Sequence, residues 1–188
     1  MPKVVNNNIL NGVSGKLGNN IVIRQSRRGI VMANKPKATL VVTPKQLAIR
    51  DKFSAASFYA RESSKRAEVS DLYKEGITPK HNSVYSVAMS DYLSRPRVVL
   101  ISTKNYKGAV GNQIQVTATD DFRIMSVSLE IKTASGEIVE QGEATPPTGL
   151  HSFWTYTATT ANPSLAGSTI TVTVTDMPGN EAVETVTV

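Results

Sequence analysis

The sequence predicts an α+β N-terminal unit, a β-hairpin plus short helices, followed by an all-β sandwich. Three observations predict it. The apolar period changes near residue 98 from about 3.6 to 2, the change from helix to half-buried strand. About seven short alternating segments then recur in about 90 residues, with turn signals between them. The charge divides at the same place: residues 1–100 hold 17 Lys+Arg against 6 Asp+Glu, and residues 101–188 hold 4 against 9, which makes up the net +6. The boundary is therefore expected between residues 97 and 98.

The elements follow in order. Gly12, Gly15 and Gly18, spaced by three, place tight turns or close backbone contacts in the first 20 residues. Ile21–Arg24 and Gly29–Met32 flank Gln25-Ser26-Arg27-Arg28 and predict a β-hairpin with a basic tip. Pro36 and Pro44 bracket an extended connector, Ala38–Val42. Thr43-Pro44-Lys45-Gln46 then starts a helix, with Thr at N-cap, Pro at N1 and Gln at N3, where side chain and backbone can satisfy each other's orphan amides. Ile49, Phe53, Ala56 and Ala60 form one apolar helical stripe. A second helix is expected from Lys65 to Glu75, ended by Gly76. A third starts near Asn82, carries Val84, Ala88 and Tyr92, and stops before Pro96.

From Val98 the alternation takes over. Val98–Thr103, then Ile114, Val116 and Ala118, then Val127, Leu129 and Ile131 are strands by this criterion. So are Ile138–Glu143, Ser152–Thr159, the Thr-separated Ile170, Val172 and Val174, and Ala182–Val188. Gly111-Asn112, Ser135-Gly136, the Pro146–Gly149 loop and Pro178-Gly179-Asn180 supply the turns. This is the pattern of an immunoglobulin-like β-sandwich, with Trp154 expected in the core. The chain has no cysteine, so packing alone must join the sheets.

The same absence removes thiolate metal sites, iron–sulfur clusters and cysteine nucleophiles. No apolar run reaches the roughly 18 residues of a spanning helix, and Met1–Asn8 has no apolar signal region, so neither membrane insertion nor classical secretion is expected. Gly12–Gly18 with Lys16 fails the spacing of a phosphate loop. His81 lies beside a helix start and His151 in a Pro/Gly-rich loop; neither stands in a nucleophile context such as G-x-S-x-G. No catalytic residue, metal ligand or cofactor is assigned. Asp120, Asp121 and Asp176 would hold Ca²⁺ only if their loops converged, and capping of turns by their own backbone is the plainer reading.

One constellation rises above this background. Arg24, Arg27 and Arg28 at the hairpin tip, with Lys16, Lys35 and Lys37 nearby, form a basic patch in a stretch that holds no acid before Asp51. Arginine forks pair with carboxylate or phosphate. Phe53 is the first aromatic of the chain, so base stacking is unsupported and a nucleic-acid contact would rest on the phosphate backbone alone. Docking on an acidic protein surface needs only the charge.

Two resemblances add to this. Thr119-Asp120-Asp121-Phe122-Arg123-Ile124 with Val127–Ile131, and Val174-Thr175-Asp176-Met177-Pro178-Gly179-Asn180-Glu181-Ala182, resemble the early strands and the closing motif of bacterial Ig-like repeats over residues 98–188. Such repeats imply an adhesion, spacer or decoration module. Gly12–Asn19, the basic hairpin, the helix matching "TPxQxxxRxxF" from Thr43 to Phe53, and Asn82-Ser83-Val84-Tyr85 are similar to an uncharacterised family of small proteins of bacteria, notably Bacteroidetes, and their phages. That resemblance covers residues 8–93 and implies a phage structural role without catalysis. Residues 1–97 are then expected to anchor the chain on virion proteins such as the major capsid protein, in many copies per particle. A nucleic-acid-binding protein and a bacterial surface adhesion module are the alternatives.

Overall fold

The computed structural model describes residues 3–4, 12–26, 29–35, 42–148 and 153–188. They form two compact units, residues 1–47 and 48–188. The division falls after Leu47, well before the change of period at residue 98. Period marks where one kind of element gives way to another, not where contacts stop.

The first unit is a four-stranded antiparallel sheet of order β1-β4-β3-β2, made of β1 (Lys3–Val4), β2 (Gly15–Leu17), β3 (Ile21–Ser26) and β4 (Gly29–Asn34). The hairpin is β3–β4, closing at Ser26↔Gly29. The outer strands β1 and β2 carry no period of their own and are not foreseen from the sequence. Gly12, Gly15 and Gly18 all adopt positive φ, which side-chain-bearing residues rarely do. Connector residues 36–41 lie outside the described residues.

Three helices follow: α1 (Pro44–Lys65), α2 (Ala67–Lys74) and α3 (Val84–Leu93). The predicted capping box of α1 is present, with the Thr43 amide donating to Gln46 Oε1 at 3.1 Å and the Gln46 amide to Thr43 Oγ1 at 3.3 Å. The third helix starts near Asn82 as expected, with Ser83 as its N-cap in a second box closed by Ser86. A small core of Ala60, Tyr73, Val87 and Ala88 joins the three helices.

The last seven strands are the expected sandwich. One sheet runs β5-β6-β9 (Arg97–Ser102, Gln113–Thr119, Trp154–Thr157). The other runs β11-β10-β7-β8 (Glu181–Thr187, Thr169–Asp176, Ile124–Lys132, Ile138–Glu143). Alternation fills the space between them with Ile114 and Val116, with Val127, Leu129 and Ile131, and with Ile170, Val172 and Val174, all buried. Trp154 is half-buried against this core rather than inside it.

The helices pack against one end of the sandwich. Phe122, in the β6–β7 loop, and Met177, in the β10–β11 turn, pack into the helical core. The Phe122 ring lies 4.8 Å from that of Tyr73. Asn180 Nδ2 donates to the Ser94 carbonyl at 2.9 Å, with the Tyr92 and Asp91 carbonyls at 3.4 and 3.5 Å, and so satisfies the C-terminal end of α3. Residues 48–188 thus share contacts across the boundary that the sequence period suggests.

Candidate docking surface

Of the six basic residues singled out in the sequence, Lys16, Arg24 and Lys35 are described and exposed. Arg27, Arg28 and Lys37 lie outside the described residues. Lys16 pairs in register with Val22, and Arg24 is two residues further along the same strand, so Lys16 and Arg24 share one face of the sheet. Lys35 follows β4, its amide donating to the Asn20 carbonyl at 2.7 Å.

The second unit carries a different surface, on the apolar stripe that the sequence places on α1. Of the stripe Ile49, Phe53, Ala56 and Ala60, only Ala56 and Ala60 are buried. Ile49 and Phe53 are 68% and 56% exposed, and Phe58 is 69% exposed. The stripe has the period of a core face, but the helical core reaches only the second half of α1. Ile49, Phe53 and Phe58, with Arg50, Ser57 and Arg61 between them, line a groove of about 520 Å³. Apolar side chains interleaved with arginines are the composition of protein interfaces. Arg50 and Arg61 each offer this face a guanidinium fork, a shape that matches a carboxylate.

A smaller cavity of about 140 Å³ opens beside α3 and is lined by His81, Ser90, Asp91 and Asp121, among others. Ser90 Oγ donates to Asp121 Oδ2 at 3.4 Å, and Ser94 Oγ donates to the same oxygen at 2.7 Å. No hydrogen bond joins Ser90 to His81 among the described residues, so a nucleophile–base pair is not formed there. His151 lies outside the described residues.

The aspartates converge, though not as the expected set. Asp121 stays exposed with the two serines, and Asp91 of α3 takes its place beside Asp120 and Asp176. The turn-capping reading holds for two of them: Asp120 Oδ2 accepts from the Phe122 amide at 3.2 Å, and Asp176 Oδ1 accepts from the Asn180 amide at 2.6 Å. Asp91 Oδ2 accepts from the Tyr73 hydroxyl at 2.6 Å, and Tyr73 in turn meets the Tyr59 hydroxyl at 2.9 Å. Burial, assisted by the nearby Asp120 and Asp176 charges, pushes Asp91 up to about 7 against the Tyr73 hydrogen bond that pulls it down. Burial also raises Asp176, against the hydrogen bonds from Asn180 that lower it. Only Asp91 was missed in the sequence, where it reads as one polar position of a short helix.

No helix among the described residues is long and apolar enough to cross a membrane. No family model and no curated protein matches the chain. Among solved structures the chain is similar to a conjugative transposon lipoprotein from Bacteroides eggerthii, at 13% identity over 50% of this chain and 93% of that one, with a TM-score of 0.27. A likeness this distant carries no argument about function.

Proposed function

We propose that the chain is a non-enzymatic structural protein of a phage particle, an auxiliary or decoration component of the capsid. In this reading it docks on a neighbouring virion protein such as the major capsid protein, in multiple copies per particle. The carrying observation is the α1 face, where three large apolar side chains are more than half exposed around Arg50 and Arg61. Leaving them in water forgoes about 1.5–3 kcal/mol per side chain, which burial on a partner recovers. The basic face of Lys16 and Arg24 supports charge-steered approach to an acidic surface. The resemblance of residues 8–93 to phage and bacterial proteins supports the particle as the setting, and the sandwich then serves as the displayed module.

The test is incorporation. Full-length wild type, the pair Phe53→Ser/Phe58→Ser and the pair Lys16→Glu/Arg24→Glu are supplied to cells producing the phage. Copies per purified particle are then counted. Both pairs should be depleted at least tenfold relative to wild type, and the deficit of the charge pair should shrink at high salt, where screening weakens the attraction it lacks. Wild-type occupancy for both would overturn the reading. Retention of DNA or RNA by the wild type, with an affinity falling steeply in salt and lost in the charge pair, would move it to nucleic-acid binding.

A further inference from the structure

We propose that Asp91, Asp120 and Asp176 form a binding site for a hard divalent cation of the size of Ca²⁺, which ties helix α3 to the ends of both sheets of the sandwich. Each residue presents a carboxylate oxygen, and the three oxygens lie within 4.8 Å of one another. Ligand oxygens sharing one Ca²⁺ at about 2.4 Å sit at most about 4.8 Å apart, twice that radius. The spacing lets one ion reach all three oxygens.

A separate observation points to an occupant. Asp91 is fully buried, yet no hydroxyl or N–H reaches its Oδ1, and none reaches the buried Oδ1 of Asp120, whose carboxyl can hydrogen-bond that of Asp91 only when one of the two holds a proton. A buried carboxylate oxygen without a donor is expensive, and two in one place more so. Among the described residues no Lys, Arg or His side chain makes an ion pair with any of the three. A proton shared between Asp91 and Asp120 offsets one of the three charges, whereas a divalent cation offsets two and meets all three carboxylates at once. The remaining oxygens are held by Tyr73, the Phe122 amide, and the Asn180 amide and side chain. Such donors orient ligand carboxylates around a metal. The all-oxygen donor set suits Ca²⁺ or Mg²⁺ and not a soft metal. The 140 Å³ cavity reaches Asp91 and offers both a path and room for the waters that complete the shell.

The three ligands come from α3, from the residue after β6 and from the end of β10. Bound there, the cation would fasten the helices to the sandwich. This holds whether or not the chain docks on a particle.

Terbium, a luminescent stand-in for Ca²⁺, tests it on the full-length protein at neutral pH, excited through Tyr73, whose hydroxyl touches Asp91. The wild type should give one saturable signal that Ca²⁺ displaces. Roughly 10 mM Ca²⁺ should raise Tm by about 4 °C, given millimolar affinity. Asp120→Asn and Asp176→Asn should weaken terbium binding at least tenfold, and Asp121→Asn should leave it unchanged. No saturable wild-type signal, no Tm shift with Ca²⁺ or Mg²⁺, or equal binding by Asp120→Asn would each overturn the site. The wild-type titration decides the matter even where a variant fails to fold.

Discussion

Glu140 shows what a single buried charge does in this sandwich. Its Oε2 accepts from the Tyr156 hydroxyl at 3.1 Å, the Thr159 amide and hydroxyl at 2.9 Å each, and the Thr160 amide at 3.2 Å. One carboxylate thus links β8 to β9 and the loop after it. Hydrogen bonds to an ionised acceptor are the strong ones. Glu140→Gln should cost about 1.5–3 kcal/mol, read from the shift in urea midpoint by Trp154 fluorescence. Burial, with the Glu140 charge beside it, pushes the Tyr156 phenol up to about 12. The folded chain therefore keeps a proton that the unfolded chain gives up above pH 10. The resulting stability is complete below pH 10 and drains away as pH rises toward 12. Tyr156→Phe should lose part of that alkaline slope; an identical slope would show that Tyr156 does not titrate with unfolding. Nothing in the sequence marks Glu140, because its donors lie 16 to 20 residues further on.

At the scale of elements, local signals were legible and tertiary ones were not. The start of α1 could be read because a capping box is closed within four residues. The seven sandwich strands could be read because alternation reports directly on a two-sided sheet. The fate of the α1 stripe could not, since periodicity shows an apolar face without showing what covers it. Phe53→Ser and Phe58→Ser should accordingly change stability by no more than about 0.5 kcal/mol while weakening docking; a large loss in thermal unfolding would mean that the face is covered within the chain. The turn after α2 makes the opposite case. A Cβ at Gly76 would stand 2.7 Å from Val87 Cγ1 and 2.9 Å from the Phe122 ring. Its backbone is not in the left-handed region, so space alone demands glycine there. Gly76→Ala, which elsewhere stabilises, should here lose about 1–3 kcal/mol in chemical denaturation, as overpacked sites do.

Across the whole molecule, the helices belong with the sandwich more than with the basic hairpin that precedes them in sequence. Phe122 packs on Tyr73, Asn180 satisfies carbonyls of the α3 end, and Glu75 pairs with Arg123 at 2.6 Å. The exposed ion pair adds little, but the ring contact and the carbonyl bonds are half-buried or buried and would be lost if residues 48–97 came away. Composition could not show this, because the charge division follows surface chemistry while the packing division follows the contacts of Phe122, Met177 and Asn180. Limited trypsin digestion of the full chain separates the two divisions. The compact units predict early cleavage in the first turns of α1, near the division after Leu47, and a persistent fragment that begins between Lys45 and Lys52 and runs to the C-terminus. A stable fragment beginning at Val98, with the helices digested away, would instead make the sandwich independent of them and remove the structural reason for Asp91 to sit beside Asp120 and Asp176.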